Sequence, residues 1–327
     1  MDVLVTGAPG WLGTRLVEIL RERKREVRCL VLPGLDESYL KNLGAHIFHG
    51  DLSIPGNLKG LCDGVRTVFH CAGIIHPKKI EEFYKINVEG TKHILEEAIK
   101  AGAQRFVYVS SNSVGGVNVS RDKLMQESDP SRPYKHYGLS KYRAEELIRQ
   151  SFNAGKIKTT IIRPCWFYGV RQPERQTAFF KMIKKGNPII FGNGESLRSM
   201  SYIDNVVDAL LLIEQNDISI GKTYWVADKD PYPTIQIYQT IANLLGVKEF
   251  RPIYVPAFVS TVCGLVDTLI QSMGYYVKEI HVSGEMDRNI ACSINKAQHE
   301  LGYEPKIYLE EGMQRSIEWC KVNGIEI

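Results

Sequence analysis

The 327-residue chain has no CxxC pair. Its seven cysteines are odd in number and scattered, which argues against a disulfide framework or a zinc site and fits a reduced, cytoplasmic compartment. It has no excess of one charge either. With 41 basic and 37 acidic residues the net charge is +4, too small and too dispersed for a nucleic-acid surface. The densest run, Arg21-Glu22-Arg23-Lys24-Arg25, reads as the solvated end of a helix. No apolar run is long enough to span a bilayer. The most apolar late segment, Val255–Ile270, is broken by Asp267 and reads as a buried or interface helix. Met1 leads straight into an apolar strand, so no signal peptide is expected. The histidines show no ligand spacing: an odd separation on a strand sends His46 and His49 to opposite faces, and His76, His93, His136, His281 and His299 are isolated, so no metal site is expected. Repeats and low-complexity tracts are missing. What remains is an ordinary globular composition, 44% hydrophobic and 24% charged, with ample length for a large core.

The informative stretch is Val3-Leu4-Val5-Thr6-Gly7-Ala8-Pro9-Gly10-Trp11-Leu12-Gly13. An apolar strand ends in a glycine-rich turn, and a helix with Leu12, Leu16, Ile19 and Leu20 at helical spacing starts at once. Gly7 suits the tight turn, Gly10 lets a bulky anion approach the backbone, and Gly13 lets helix and strand pack closely. Free N–H groups at the helix start then face a pyrophosphate. A three-glycine match alone says little; followed by a second apolar strand at Val27–Leu32, it predicts a bound dinucleotide.

Further apolar runs at His46–Phe48, Thr67–His70, Phe106–Ser110 and Thr159–Arg163 alternate with helical patterns such as Phe83–Ala101 and Tyr137–Gln150. This predicts an α/β fold of the Rossmann type, a doubly wound parallel sheet with helices on both faces and the ligand outside the carboxyl ends of the strands. Beyond Pro164 the pattern loosens into loops with helices near Gln176–Lys185, Asn205–Glu214, Thr234–Leu245 and Glu310–Cys320. The expected division is a dinucleotide-binding domain over 1–165, completed by about 205–228, and a smaller substrate-binding lobe from 166–204 and 229–327.

Tyr137 and Lys141 fall one turn apart on one helical face. A phenol near its usual pKa of about 10 is a poor base at neutral pH, and a nearby ammonium with a cationic nicotinamide lowers it. The same lysine can donate to ribose hydroxyls. Ser110-Ser111 ends an apolar strand, where a hydroxyl can meet a substrate oxygen.

With these residues in place, the chain resembles an extended short-chain dehydrogenase/reductase, the group of nucleotide-sugar epimerases, dehydratases and sterol-type dehydrogenases. The likeness covers nearly the whole chain: Thr6-Gly7-Ala8-Pro9-Gly10-Trp11-Leu12-Gly13, Asp51-Leu52, His70-Cys71-Ala72-Gly73, Asn87-Val88-Glu89-Gly90-Thr91, Val109-Ser110-Ser111-Asn112-Ser113-Val114, Arg163-Pro164 through Tyr168-Gly169, Ser201-Tyr202-Ile203-Asp204-Asn205-Val206 and Leu301-Gly302-Tyr303-Glu304-Pro305. It implies Ser111, Tyr137 and Lys141 as catalytic residues. It implies a dinucleotide held by Thr6, Gly7, Pro9, Gly10, Trp11, Leu12 and Gly13, by Asp51 and Leu52 near adenine, and by Cys71, Ala72, Gly73, Asn87, Tyr137, Lys141 and Pro164. Substrate contacts would come from Ser111, Asn112, Trp166 and Arg198, and a homodimer is expected.

The departures sharpen the reading. After the second strand, Leu30-Val31-Leu32-Pro33 offers neither the acid of NAD-preferring relatives nor the arginine of NADP-preferring ones. NAD is favoured because no basic residue is placed for a 2′-phosphate; NADP stays open, and Arg28 is expected to point elsewhere. Asn112-Ser113 replace the Asp-Glu pair of the dehydratases, which argues against dehydration. Gly192 through Arg198 resembles the loop whose arginine holds the substrate pyrophosphate in nucleotide-sugar enzymes. Trp166, where many sugar epimerases have asparagine, and the apolar Pro256–Ile270 resemble the sterol-type branch instead. A nucleotide-sugar epimerase is therefore expected, with a dehydrogenase of a sterol-like or other apolar alcohol or ketone as the alternative. A non-catalytic dinucleotide sensor or scaffold would have no use for the tyrosine.

Overall fold

The computed structural model describes residues 1–327. β1 (Val3–Thr6), β2 (Val27–Val31), β3 (His46–His49), β4 (Thr67–His70), β5 (Arg105–Val109), β6 (Lys158–Pro164) and a last strand, Thr223–Val226, form one sheet. They lie in the order β3-β2-β1-β4-β5-β6, with Thr223–Val226 beyond β6, and every pairing is parallel. The chain runs outward from β1 in one direction and from β4 in the other. The order reverses between those two strands, where the loops at their carboxyl ends diverge and leave a crevice.

Strand alternation sorts the core onto two faces. Val3 and Val5 join Leu12, Leu16, Val17 and Leu20 of α1 (Trp11–Glu22), while Leu4 packs on the other face with Val68, Phe106, Ala144 and Ile148. Helices cover both faces, which is why the strands read as almost continuous apolar runs. The edge strand β3 is the exception, with His46 and His49 exposed and paired at the surface with Glu26 and Glu37.

Three expectations need correction. The helix predicted over Phe83–Ala101 is interrupted: a helical turn at Ile80–Phe83 passes into a wide turn of the i→i+5 kind over Tyr84–Gly90 before the regular helix Thr91–Lys100. The Thr91 hydroxyl donates to the Asn87 carbonyl at 2.7 Å, offering that carbonyl a partner beyond the ladder. The Arg21–Arg25 run is only partly solvated, because Arg25 forks onto Glu214 at 3.0 and 3.1 Å and Arg21 reaches the Leu43 carbonyl at 3.0 Å. The late apolar segment, expected as a buried or interface helix, does form a helix, Ala257–Ser272, but its apolar side is exposed, which overturns the buried alternative alone.

Past β6 the chain adds short strand pairs, Trp166–Tyr168 with Met200–Tyr202 and Leu197–Arg198 with Tyr232–Pro233. The helices Glu174–Lys184, Thr234–Leu244 and Leu309–Val322 accompany them. No helix is long and apolar enough to cross a membrane.

Candidate active site

The glycine loop leaves β1 and turns around a single carbonyl. Gly7 has φ +84, and a Cβ there would lie 2.7 Å from the backbone of Cys71 and Ala72, so β1 and β4 meet at this turn. A Cβ on Gly10 would fall 2.6 Å from the Gly7 oxygen, and one on Gly13 2.5 Å from the same atom. Both later glycines therefore make room for the loop's own backbone, and Gly10 also donates its N–H to that oxygen at 2.9 Å. Gly10 precedes the first turn of α1 and no side chain caps that terminus, so its remaining N–H groups face the crevice. Trp11 turns away, donating Nε1–H to the Val170 carbonyl at 2.6 Å and resting edge-on against Phe167.

Behind the loop runs a buried relay. The Ala72 N–H donates to the Thr6 hydroxyl at 3.2 Å, and that hydroxyl lies 2.7 Å from Nδ1 of His70. Nε2 lies 2.9 Å from the Thr91 hydroxyl, which itself donates to Asn87. Burial, with the nearby Lys141 ammonium, pushes the His70 pKa down to about 3, so the ring is neutral. With each hydroxyl donating onward, Nδ1 accepts and Nε2 carries the proton. Asn87 is equally committed: it accepts from the Ile74 N–H at 2.8 Å and donates to the Ile74 carbonyl and the Ser140 hydroxyl at 3.1 and 3.0 Å. Thr6 and Asn87 thus tie β1, β4 and the wide turn to the helix Lys135–Asn153.

That helix carries Tyr137, Lys141 and Glu145 at successive turns of one face. Lys141 is buried, with its ammonium donating to the Val109 carbonyl at 2.8 Å and standing 4.3 Å over the Tyr108 ring. Burial lowers its pKa to about 7, with Glu145 pulling the other way. A Cβ on Gly73 would sit 3.7 Å from the ammonium, so the strand-end loop Cys71-Ala72-Gly73 passes directly over it. Only one protein acceptor meets an ammonium with three donors, which suits ribose hydroxyls in the crevice. Burial raises the Tyr137 phenol above its ordinary value, while Ser111 and the Arg175 guanidinium pull it back. Ser111 accepts from the Ser113 N–H and donates to the Asn112 side chain, both at 3.2 Å.

Glu145 holds the helix in place. It is buried at the end of a fork from Arg163 of β6, at 2.9 and 2.7 Å, and takes a third bond from Arg149 at 2.5 Å. Burial pushes its pKa up, but the two guanidinium groups more than offset this and keep it ionised. Pro164 follows as the last residue of β6, at the same end of the sheet.

The other expected residues are spread around this centre. Asp51 accepts from the Ser53 N–H at 2.8 Å in the loop after β3, and the neighbouring Leu52 packs where a Gly90 side chain would otherwise stand. Trp166 is half-buried, its ring tilted against that of Phe179 with the centroids 5.8 Å apart. Arg28 donates to the Gly60, Leu61 and Asp63 carbonyls and is occupied there. Arg198 is buried and donates to the Glu285 carbonyl, but its Nε has no partner and no carboxylate pairs with it. Burial lowers its pKa, against the pull of Glu285 and Asp287.

Sequence reasoning missed Arg175, whose guanidinium stands 6.0 Å over the Trp11 ring and within electrostatic reach of Tyr137. Nothing near position 175 signals it, since the contact joins residues far apart in the chain. The His70 relay was missed too, although the strand-end histidine and the two threonines were visible.

A model of the NAD dependent epimerase/dehydratase family matches residues 3–227. The chain is 39% identical to an uncharacterised protein, y4nL, of Sinorhizobium fredii, over 98% of its length and 96% of that protein. It is 28% identical to the mouse sterol-4-alpha-carboxylate 3-dehydrogenase, decarboxylating, over 96% of its length and 89% of the enzyme. In fold it resembles the UDP-glucose 4-epimerase of Thermotoga maritima, solved with UDP-glucose, with a TM-score of 0.81, 23% identity and 99% of each chain covered.

Proposed function

Because the chain belongs to the NAD dependent epimerase/dehydratase family, and so to the short-chain dehydrogenase/reductase enzymes, we propose that it is a nucleotide-sugar epimerase using NAD. The observation that carries this is Arg198. A buried guanidinium with an unpartnered Nε and no carboxylate in contact, only Glu285 and Asp287 farther off, is costly unless a ligand brings the anion, and a pyrophosphate fits its fork. The preference for NAD is supported by Arg28, which is tied to three carbonyls and so is not free to meet a 2′-phosphate.

On this reading residues 1–165 with about 205–228 hold the dinucleotide, and 166–204 with 229–327 form the substrate lobe. The residues that fit the dinucleotide are the Gly7–Gly13 turn, the Cys71–Gly73 loop and Lys141; when bound it supplies a hydride acceptor and a cationic ring. Tyr137 takes the proton of the sugar hydroxyl whose carbon gives up hydride, and returns it after the keto-sugar has turned. Ser111 holds the same oxygen, and Lys141 orients the ribose and favours the phenolate. Arg198 keeps the pyrophosphate anchored while the sugar turns, so no net redox results.

A second reading, net oxidation or reduction of an apolar alcohol or ketone, draws on the exposed apolar side of the helix Ala257–Ser272 and the likeness to the mouse sterol enzyme. Arg198→Ala separates the two. Hydrogen bonds to charged groups are worth ~1.5–3 kcal/mol, so UDP or UDP-sugar affinity should fall by about one to two powers of ten, with NAD affinity almost unchanged. Wild-type protein with no measurable UDP affinity by titration calorimetry counts against the sugar reading.

A further inference from the structure

Two guanidinium groups at the crevice lack a carboxylate. Arg198 is one, and the proposed function gives it the substrate pyrophosphate. Arg175 is the other. Elsewhere the arginines of this region are held: Arg163 forks onto Glu145, Arg171 pairs with Glu18 at 2.5 Å, and Arg28 is tied to carbonyls. Arg175 makes no ion pair and no hydrogen bond. Its guanidinium stands 6.0 Å over the ring of Trp11, the first residue of α1, and the one acidic group whose charge it feels is the Tyr137 phenol. The residue is exposed, yet burial lowers its pKa, so it lines an open crevice rather than the outer surface. It lies in the first turn of the helix Glu174–Lys184, where the dipole disfavours a cation, so helix stability does not account for it.

The charges around this end of the crevice leave Arg175 uncompensated. His76 is neutral: burial first, then Arg175 and Lys278, push its pKa down to about 4. Lys278 is itself a cation without an ion pair. Of the acids, Glu285 stands 3.8 Å from His281 and acts on Tyr137 and Arg198, while Glu279 and Glu174 are exposed, and none of the three pairs with Arg175. Both pyrophosphates of the proposed function already have places, one at the Gly7–Gly13 turn and one at Arg198. An anion that meets Arg175 therefore belongs to the part of the substrate that reaches Tyr137, next to the reacting carbon.

We propose that the substrate carries a carboxylate on the carbon beside the carbinol that meets Tyr137, and that Arg175 receives it through its planar fork. On the nucleotide-sugar reading, on which this rests, the substrate class is a nucleoside-diphosphate uronic acid, whose ring sets a hydroxyl on the carbon next to the one bearing the carboxylate. A neutral hydroxymethyl group in that place leaves the guanidinium without its anion. Arg175 thus acts on the choice of substrate, while Tyr137 moves the proton for any sugar that enters.

The test compares kcat/KM for epimerisation of UDP-glucuronate and UDP-glucose, which differ only in carboxylate against hydroxymethyl beside the reacting carbon. Wild type should favour the uronate by about ten- to a hundredfold. Arg175→Gln should lose that preference, and Arg175→Lys should keep part of it, having the charge without the fork. The ratio is read rather than either rate, because a change at the Tyr137 phenol touches both sugars alike. NAD affinity of the Gln variant, by titration calorimetry, should stay within about threefold of the parent's. A wild type indifferent to the carboxylate overturns the proposal, as does a Gln variant that keeps the preference. A Gln variant whose NAD affinity falls about tenfold or more also overturns it, by giving the cation to the cofactor. Turnover of UDP-glucose but not of UDP-glucuronate overturns this inference and leaves the nucleotide-sugar reading standing. Protein with no measurable affinity for UDP overturns both.

Discussion

Lys141→Met should make the ligand-free protein more stable while abolishing its turnover. Burial holds the ammonium at a pKa of about 7 against its usual 10.5. At roughly 1.4 kcal/mol per pH unit that depression amounts to about 5 kcal/mol of destabilisation when the lysine is charged in both states. Methionine removes it but leaves the Val109 carbonyl without its donor, which costs about 1–3 kcal/mol. The variant should therefore gain about 2–4 kcal/mol near neutral pH and below. With an unfolding entropy of about 2.1 cal/mol/K per residue, this corresponds to a Tm rise of about 3–6 °C for 327 residues. The sign of the pH dependence is fixed. Between about pH 7 and 10.5 the unfolded parent binds a proton that the folded one has released, so the parent gains stability as pH rises and the gap closes. Scanning calorimetry of both proteins across that range reads the effect. A variant less stable than the parent at neutral pH, or a gap that does not narrow toward pH 10.5, would refute the reasoning.

Tyr137→Phe should fold normally, bind NAD like the parent and lose about 10²–10⁴-fold in turnover, measured at saturating substrate; near-normal turnover would remove the tyrosine from its role. Gly10→Ala sets a methyl 2.6 Å from the Gly7 oxygen and should distort the phosphate turn, so that NAD affinity by titration calorimetry falls at least about tenfold. Equal affinity would mean that the pyrophosphate lies elsewhere. Glu145→Ala strands Arg163 in the core and should cost about 3–5 kcal/mol, read as a drop in Tm, and a Tm close to the parent's would contradict the structural role of the pair. Since the folded Glu145 has a depressed pKa, its contribution is present above the usual carboxylate range and is lost as pH falls through the folded value.

The parts legible in the sequence rest on local pattern. β1, the glycine turn and α1 are contiguous, and Tyr137 and Lys141 are joined by helical periodicity alone, so each can be read without knowing what packs against it. The wide turn at Tyr84–Gly90 could not be read, because a bond between Asn87 and Ile74, thirteen positions back, helps to fix its register. The inversion of Ala257–Ser272 was hidden for a similar reason. An apolar stripe on a helix reads as buried, and contacts of Asp267 with His281 and of Ser260 with Ser283, far apart in the chain, turn it outward. Arg198 lay between these cases: its loop pattern was visible, whereas the unpartnered Nε that gives it meaning depends on the packing of the late helices.

Turnover of a nucleotide sugar without net redox is read most directly by incubating the purified protein with NAD and a UDP-sugar, following the epimer chromatographically and free NADH by absorbance in the same sample. An epimer should accumulate with no NADH beyond a trace below the enzyme concentration. NADH formed in proportion to an oxidised product, or no epimer from any UDP-sugar while an apolar alcohol yields stoichiometric NADH, would contradict it.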